Sequence, residues 1–306
     1  RVVGLIVRQK FPMDGSMTGD IKIVRTVKDL RAQVEAWKKD GLKVALVPTM
    51  GALHIGHMSL IDEAKTKADR IIVSIFVNPT QFAPHEDFDA YPRQEADDAA
   101  MVAGRGGHLI YAPTRDEMYP EHFSTSIQVG GISQGLCGDS RPHFFGGVAI
   151  VVAKLLLQAL AHVAVFGEKD YQQLLVIKRM VRDLNIPTEI IGAPLVRDED
   201  GLATSSRNKY LSAEDRAQAL ALNRALKAVT EAVGSGATAP QAIVKGAQIL
   251  MAAGIERIDY LDLRDAETLE LIDGPVTRPA RVFVAAHVGP ARLIDNMAVP
   301  AMPPEA

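Results

Sequence analysis

His54 and His57 stand three residues apart, with Gly56 between them, in the stretch VPTMGALHIGH (47–57). An apolar run precedes them and a helical pattern follows. Small residues at Gly51 and Gly56 let a ligand approach the backbone closely. The start of a helix offers unsatisfied N–H groups and the positive end of the helix dipole, a ready site for phosphate. Two imidazoles on that first turn can hydrogen-bond phosphate oxygens whose charge grows as a bond at phosphorus breaks. A metal centre would need further His or carboxylate ligands, and none stands at a metal-binding spacing nearby. For an isolated pair, two packed and satisfied histidines would be the plain alternative. The strand–glycine–helix setting favours phosphate.

Three further stretches carry polar groups at turns. FVNPTQF (76–82) supplies Asn78 and Gln81, neutral amides that both donate and accept, suited to hydroxyls and carboxylates. Alone it would read as an Asn-Pro turn closing a strand. FGEKDYQQL (166–174) places Lys169 between two acids after Gly167; the lysine could neutralise phosphate, and Asp170 or Glu168 could orient it or cap the next helix. Gln173 follows one helical turn after Asp170. Alone, this is equally a charged helix cap. DGLATSSRN (200–208) presents Thr204, Ser205, Ser206 and Arg207. Hydroxyls, backbone N–H groups and a guanidinium are a common grip on polyphosphate; a Ser-rich linker is the alternative. Each stretch is weak by itself. Together they describe a nucleotide α-phosphate site.

Such groups must be held by rigid elements. Apolar runs at KVALVP (43–48), RIIVSIFVNP (70–79), HLIYAP (108–113), VAVFGE (163–168) and TEIIGAPLV (188–196) read as strands. Helical patterns at 59–68, 95–103, 148–160 and 171–184 alternate with them. This predicts a Rossmann-like, doubly wound α/β fold with a mostly parallel sheet, whose strand C-termini form the binding edge. After residue 210 the texture changes to two Ala-rich helices, about 213–233 and 238–253, then strands at 257–263 and 281–288. We expect a Rossmann-like domain over 21–210 and a small α+β domain over 211–306. Residues 1–20 read as an extension.

The 306-residue chain is 47% hydrophobic and 23% charged, with a net charge of −3, so it lacks the basic footprint of nucleic-acid binders. A single cysteine excludes an intrachain disulfide framework and fits a reducing compartment such as the cytoplasm. The most apolar stretch, 148–166, carries Lys154, Gln158 and His162 as a narrow polar stripe, which argues for a buried helix rather than a membrane span.

Six ordered motifs, VPTMGALHIGH, SIFVNPTQF, YPR (91–93), FGEKDYQQL, DGLATSSRN and ARLIDN (291–296), resemble the pantoate–β-alanine ligase family, within the His-x-Gly-His nucleotidyltransferases. The resemblance runs from about Lys22 to Val299. It implies a two-step, ATP- and Mg2+-dependent reaction of coenzyme A biosynthesis. Pantoate attacks the α-phosphorus to give an acyl adenylate and pyrophosphate; β-alanine then displaces AMP. By resemblance, His54, His57, Lys169, Ser205, Ser206 and Arg207 act on the phosphates, with Met50, Gly56, Gly167 and Asp170 as nucleotide contacts. Met50, Asn78, Gln81, Tyr91, Arg141 and Gln173 fall on positions that bind pantoate. A homodimer, with no nucleic-acid or membrane partner, is also implied. The literal HIGH and the Ser-Ser-Arg loop also suit another adenylyltransferase or a class I aminoacyl-tRNA synthetase, although the length leaves little room for an anticodon-binding domain. The chain departs from the family at SRPHFFGGV (140–148): Phe144 stands where a histidine is usual, and His143 is the nearest imidazole.

Overall fold

The computed structural model describes residues 21–82, 88–89 and 91–301. The extension expected over 1–20 lies outside the described residues. Six parallel strands form the main sheet: β1 (Lys22–Val24), β2 (Val44–Thr49), β3 (Arg70–Ile75), β4 (Leu109–Tyr111), β5 (Val163–Gly167) and β6 (Glu189–Ala193). Their order is β1-β4-β3-β2-β5-β6. Both faces are covered, which is why the strands read as unbroken apolar runs rather than alternating ones. Val44, Leu46, Ala164 and Phe166 join one core with helices α1 (Val27–Lys39), α6 (Phe144–Ala159) and α7 (Tyr171–Asp183). Ala45, Val47, Val163 and Val165 point the other way, onto α2 (Ile55–Lys65) and α3 (Glu95–Gly104). Short helices α4 (Arg115–Met118) and α5 (Cys137–Ser140) lie in the connections between β4 and α6.

The order matters for the site. β2 and β5 are paired neighbours, through Ala45 with Val163 and Leu46 with Ala164. Yet the chain leaves β2 through α2 on one face and leaves β5 through α7 on the other. Such a switch point opens a crevice at the strands' carboxyl ends. The His54 and Lys169 turns are the two lips of that crevice.

The helix expected over 148–160 and the strand expected over 163–168 are both present, but the polar stripe Lys154, Gln158 and His162 does not lie on one helix. Helix α6 stops at Ala159, with Leu160 in the left-handed region at φ 48°. His162 is therefore off the helix, and its Nδ1 accepts a hydrogen bond from the Val44 N–H at 3.0 Å. Lys154 and Gln158 do lie on α6. The Lys154 ammonium sits 4.9 Å from the centre of the Phe123 ring, and buried Gln158 accepts from the Tyr111 hydroxyl at 3.1 Å. Among the described residues, no helix is long and apolar enough to cross a membrane.

The C-terminal part is a three-stranded antiparallel sheet, β7 (Ile258–Asp265), β8 (Ala280–Val288) and β9 (Ala291–Val299), under helices α8 (Ala213–Gly234) and α9 (Ala239–Ala252). Leu222, Leu226 and Val229 of α8 share a core with Val282, Val284 and Leu293. Ser212 starts α8 with a reciprocal cap: its hydroxyl accepts from the Asp215 N–H at 3.1 Å, and its own N–H reaches the Asp215 carboxylate at 3.2 Å. Strands β1 and β9 are not among the expected strands. β1 is three residues long, too short for a periodic signal, and β9 carries a charged residue and an amide in its middle.

Candidate active site

The site residues implied by the resemblance all line one cleft of about 730 Å3, whereas Gly51 and Glu168 do not. One lip is the turn between β2 and α2. His54 is the N-cap of α2, and its Nδ1 accepts from the Gly56 N–H at 3.1 Å. His57 returns the cap: its Nδ1 accepts from the His54 N–H at 3.3 Å. A neutral imidazole that accepts at Nδ1 carries its proton on Nε2. Both rings are thus fixed as Nε2–H donors, with ring centres 4.1 Å apart. Burial, with the Lys169 ammonium as the next cause, lowers the His54 pKa to about 4. Burial, then His54, then Lys169, lower that of His57 to about 3. Near pH 7 the pair is neutral. The glycine between them is required, because a Cβ on Gly56 would lie 2.9 Å from the His54 ring.

What holds this turn from behind is invisible in any local motif. Asp98 of α3 is buried, and its carboxylate accepts from the Ala52 and Leu53 N–H groups at 3.0 and 2.9 Å. Gly51 has φ +81°, and a Cβ there would meet Asp98 Oδ2 at 3.0 Å. The acid run EADDAA (95–100) looks like an ordinary helix start, so only the tertiary fold singles Asp98 out.

The opposite lip follows β5. Lys169 lies in a short 3-10 turn, Glu168–Asp170, before α7. Its Nζ is 3.8 Å from Asp170 Oδ1 and faces the cleft. Glu168 is turned away and pairs with Arg281 at 3.2 Å. Asp170 occupies the N-cap position of α7 without a side-chain cap bond. In the first turn of α7 the two glutamines divide. Buried Gln172 accepts from the Cys137 N–H at 3.1 Å and donates to carbonyls of the 132–135 segment, whereas Gln173 lines the cleft.

The third side is the 3-10 turn Ser206–Tyr210, capped by the Ser205 hydroxyl, which accepts from the Arg207 N–H at 3.3 Å. Asp198 anchors it by accepting from Thr204 Oγ1 at 2.6 Å, Asn208 Nδ2 at 3.3 Å and Arg216 at 2.9 Å. Burial raises the Asp198 pKa, but the bonds from Thr204 and Arg216 outweigh it and hold the carboxyl below its usual range. Ser205, Ser206 and Arg207 all reach the cleft.

Asn78 lines the cleft but is also bonded within the protein. Both amide hydrogens are used within the protein, on Gln81 Oε1 at 3.0 Å and Gly147 O at 3.1 Å. Its Oδ1 accepts from the Tyr119 hydroxyl at 2.8 Å and from Thr80. Asn78 thereby fixes the amide of Gln81, whose Nε2 is left against Met50 Sδ at 3.0 Å. A thioether is a weak acceptor, so Gln81 presents a donor that a substrate oxygen can claim. Tyr91 is buried on the cleft wall, edge-on to Phe82. Arg141 donates to Gln81 O at 3.1 Å and lies 3.9 Å over the ring of Phe144, which also lines the cleft. His143 is exposed at the start of α6 and makes no side-chain cap bond. It is not among the residues that line the cleft.

Comparison with known proteins gives consistent matches. A family model described as pantoate-beta-alanine ligase matches residues 22–298. The chain is 56% identical over 279 residues to the pantothenate synthetase of Rhodospirillum rubrum, covering 91% of this chain and 99% of that one. It is 56% identical over 285 residues to that of Caulobacter vibrioides, covering 92% and 100%. The crystal structure of pantothenate synthetase from Thermus thermophilus has a TM-score of 0.85 at 46% identity, covering 90% of this chain and 99% of its own. A pantoate-beta-alanine ligase from Francisella tularensis, complexed with beta-gamma ATP and beta-alanine, has a TM-score of 0.76 at 34% identity, covering 90% and 97%.

Proposed function

We propose a working of this cleft from one premise: the chain belongs to the pantoate-beta-alanine ligase family. It joins pantoate to β-alanine, driven by ATP. The observation that carries the site assignment is the convergence of three turns, at His54–His57, Lys169 and Ser205–Arg207, on one cleft at the sheet's switch point.

In the first step a carboxylate oxygen of pantoate attacks the α-phosphorus of ATP. The new P–O bond forms as the bond to the β-phosphate bridging oxygen breaks, and pyrophosphate leaves. Negative charge shifts onto the phosphate oxygens during this exchange, so preorganised donors aimed at them lower the barrier. His54 and His57 serve as neutral Nε2–H donors and need not gain or lose a proton. Lys169 and Arg207 supply positive charge, and Ser205 and Ser206 supply hydroxyl donors. Gln81 and Gln173 hold pantoate, with Asn78 acting through Gln81, while Tyr91 and Arg141 close that end.

In the second step the free amine of β-alanine attacks the acyl carbon. The C–N bond forms, the C–O bond to phosphate breaks, and AMP leaves as the nitrogen gives up a proton. This step asks mainly for proximity and for exclusion of water from the mixed anhydride.

Among the described residues no group of three or more His, Cys, Asp or Glu side chains is placed to hold a metal ion. Asp170, the carboxylate beside Lys169, would hold Mg2+ brought by ATP, and the ion would supply charge neutralisation at the phosphates. Homodimer assembly, a cytoplasmic location and a domain boundary near residue 210 belong to the same proposal, supported by family membership.

Purified protein given pantoate, β-alanine and Mg-ATP should release AMP and pyrophosphate in equal amounts. Pantoate labelled with 18O in its carboxylate should pass one labelled oxygen to AMP. AMP free of label would reject the acyl-adenylate route.

A further inference from the structure

Asp295 and Asn296 sit in the middle of β9, both buried, in a stretch whose neighbours are apolar. Adjacent strand residues point to opposite faces, and here each reaches a different wall of the cleft. Asn296 spends both amide hydrogens on the Lys169 turn, donating to Glu168 O at 3.0 Å and Lys169 O at 2.9 Å. Its Oδ1 accepts from Arg281, which also holds the Glu168 carboxylate at 3.2 Å and lies 3.8 Å over the Tyr171 ring. Asp295 takes Arg197 in two parallel bonds of 2.7 and 2.9 Å. Arg197 in turn donates to Gly201 O at 3.1 Å and pairs with Ala203 across the hairpin that leads into Ser205–Arg207. The Asn296 N–H closes the pair on Asp295 Oδ1 at 2.7 Å.

We infer that Asn296 is a positioning residue for adenylation: with Asp295 it sets the separation between the Lys169 turn and the Ser205–Arg207 loop. Burying an amide and a carboxylate costs stability that apolar packing would not. What a fully bonded polar network gives in return is one geometry. The two carbonyls that Asn296 holds belong to the backbone carrying Lys169. The Lys169 ammonium has a 3.8 Å contact with Asp170, so its place over the phosphates follows the peptide. Asn296 is not part of the cleft wall and acts through that peptide alone. A misplacement of about 1 Å in such a group costs roughly 100-fold in rate.

This inference rests on the reading of Lys169 as a phosphate-facing cation, and the test separates the two. Asn296→Asp keeps the size and an oxygen for Arg281, but sets oxygen against the two carbonyls. Pantoate-dependent adenylation should fall in kcat by about 100-fold, with the KM for pantoate within about twofold, because Gln81 holds pantoate from the turn after β3 and the shift at Lys169 does not reach it. Asn296→Ser, the milder change, keeps one donor and should retain more kcat than Asn296→Ala. Asp265→Ala, on β7 of the same sheet and bonded to Arg278 at 2.6 Å, is the control for general loosening and should keep wild-type kcat. Wild-type kcat in Asn296→Asp, or a serine variant no better than alanine, overturns the inference. So does a matching loss in Asp265→Ala, or a pantoate KM that rises as far as kcat falls. If Lys169→Ala itself adenylates normally, the underlying site assignment fails; if it does not and Asn296→Asp does, the positioning role alone fails.

Discussion

At the scale of single residues, the two histidines owe their chemistry to how the backbone uses them. Each gives its Nδ1 to a cap bond, and burial beside Lys169 keeps each ring neutral. The sign of the pH dependence follows. Unfolded, a histidine titrates near 6.5; folded, these titrate at about 4 and about 3. Below pH 6.5 the unfolded chain binds more protons than the folded one, so this contribution is complete above pH 6.5 and lost as pH falls toward about 3. Urea unfolding between pH 7 and pH 4.5 should show stability falling, and His57→Ala should flatten that slope. An unchanged slope would mean that the rings are not held neutral. Lys169→Ala should lower adenylation by about 100- to 1000-fold, since it removes a charge aimed at the phosphates, while the melting temperature stays near wild type. Turnover like that of the wild type would defeat its assignment. The types and spacing of His54, His57, Lys169 and Ser205–Arg207 could be read from the sequence because each lies in a short local motif. The positioning roles of Asp98 and Asn296 could not, although Asn296 stands in the ARLIDN motif, because their partners lie on other elements.

Elements show where local reading stops. Strands β2 to β5 were legible because both of their faces are buried, which leaves apolar runs bounded by turns. The polar stripe across the end of α6 was misleading. Apolar composition runs from α6 on into β5, and the helix stops at a leucine in the left-handed region rather than at the glycine that usually marks a stop. His162, which periodicity assigns to that helix, instead ties the start of β5 to the start of β2. Two substitutions separate a structural tie from a functional one. His162→Ala strands one partly buried N–H and should cost about 1 kcal/mol of stability, leaving adenylation unchanged. Asp98→Ala strands two buried N–H groups in the His54 turn, should cost about 2–4 kcal/mol at a similar rate per group, and should also slow adenylation, because the turn that aims both imidazoles slackens. Equal effects of the two on turnover would mean that the loop behind the histidines does not position them.

The whole molecule adds what neither motif nor element contains: a cleft shared between two sheets. Its walls take Lys169 and His54 from the parallel sheet, and Asp259, Arg292 and Asp295 from the antiparallel one. Arg197–Asp295 and Arg281–Glu168 cross between them. Burial of Asp295 raises its pKa even against the Arg197 partner, so this crossing is a matter of geometry more than of gained attraction. A nucleotide in such a cleft binds only when both sheets are folded and docked. Mass action then predicts that ATP at 100 times its dissociation constant adds about 2.7 kcal/mol, or roughly 4 °C for a chain of this size. The shift should appear in one shared transition, followed equally by a probe on the parallel sheet and one at Tyr260 on β7. Two transitions, of which ATP moves only the one belonging to the parallel sheet, would show that the antiparallel sheet is a bystander and would take the ground from under the positioning role of β9 as well.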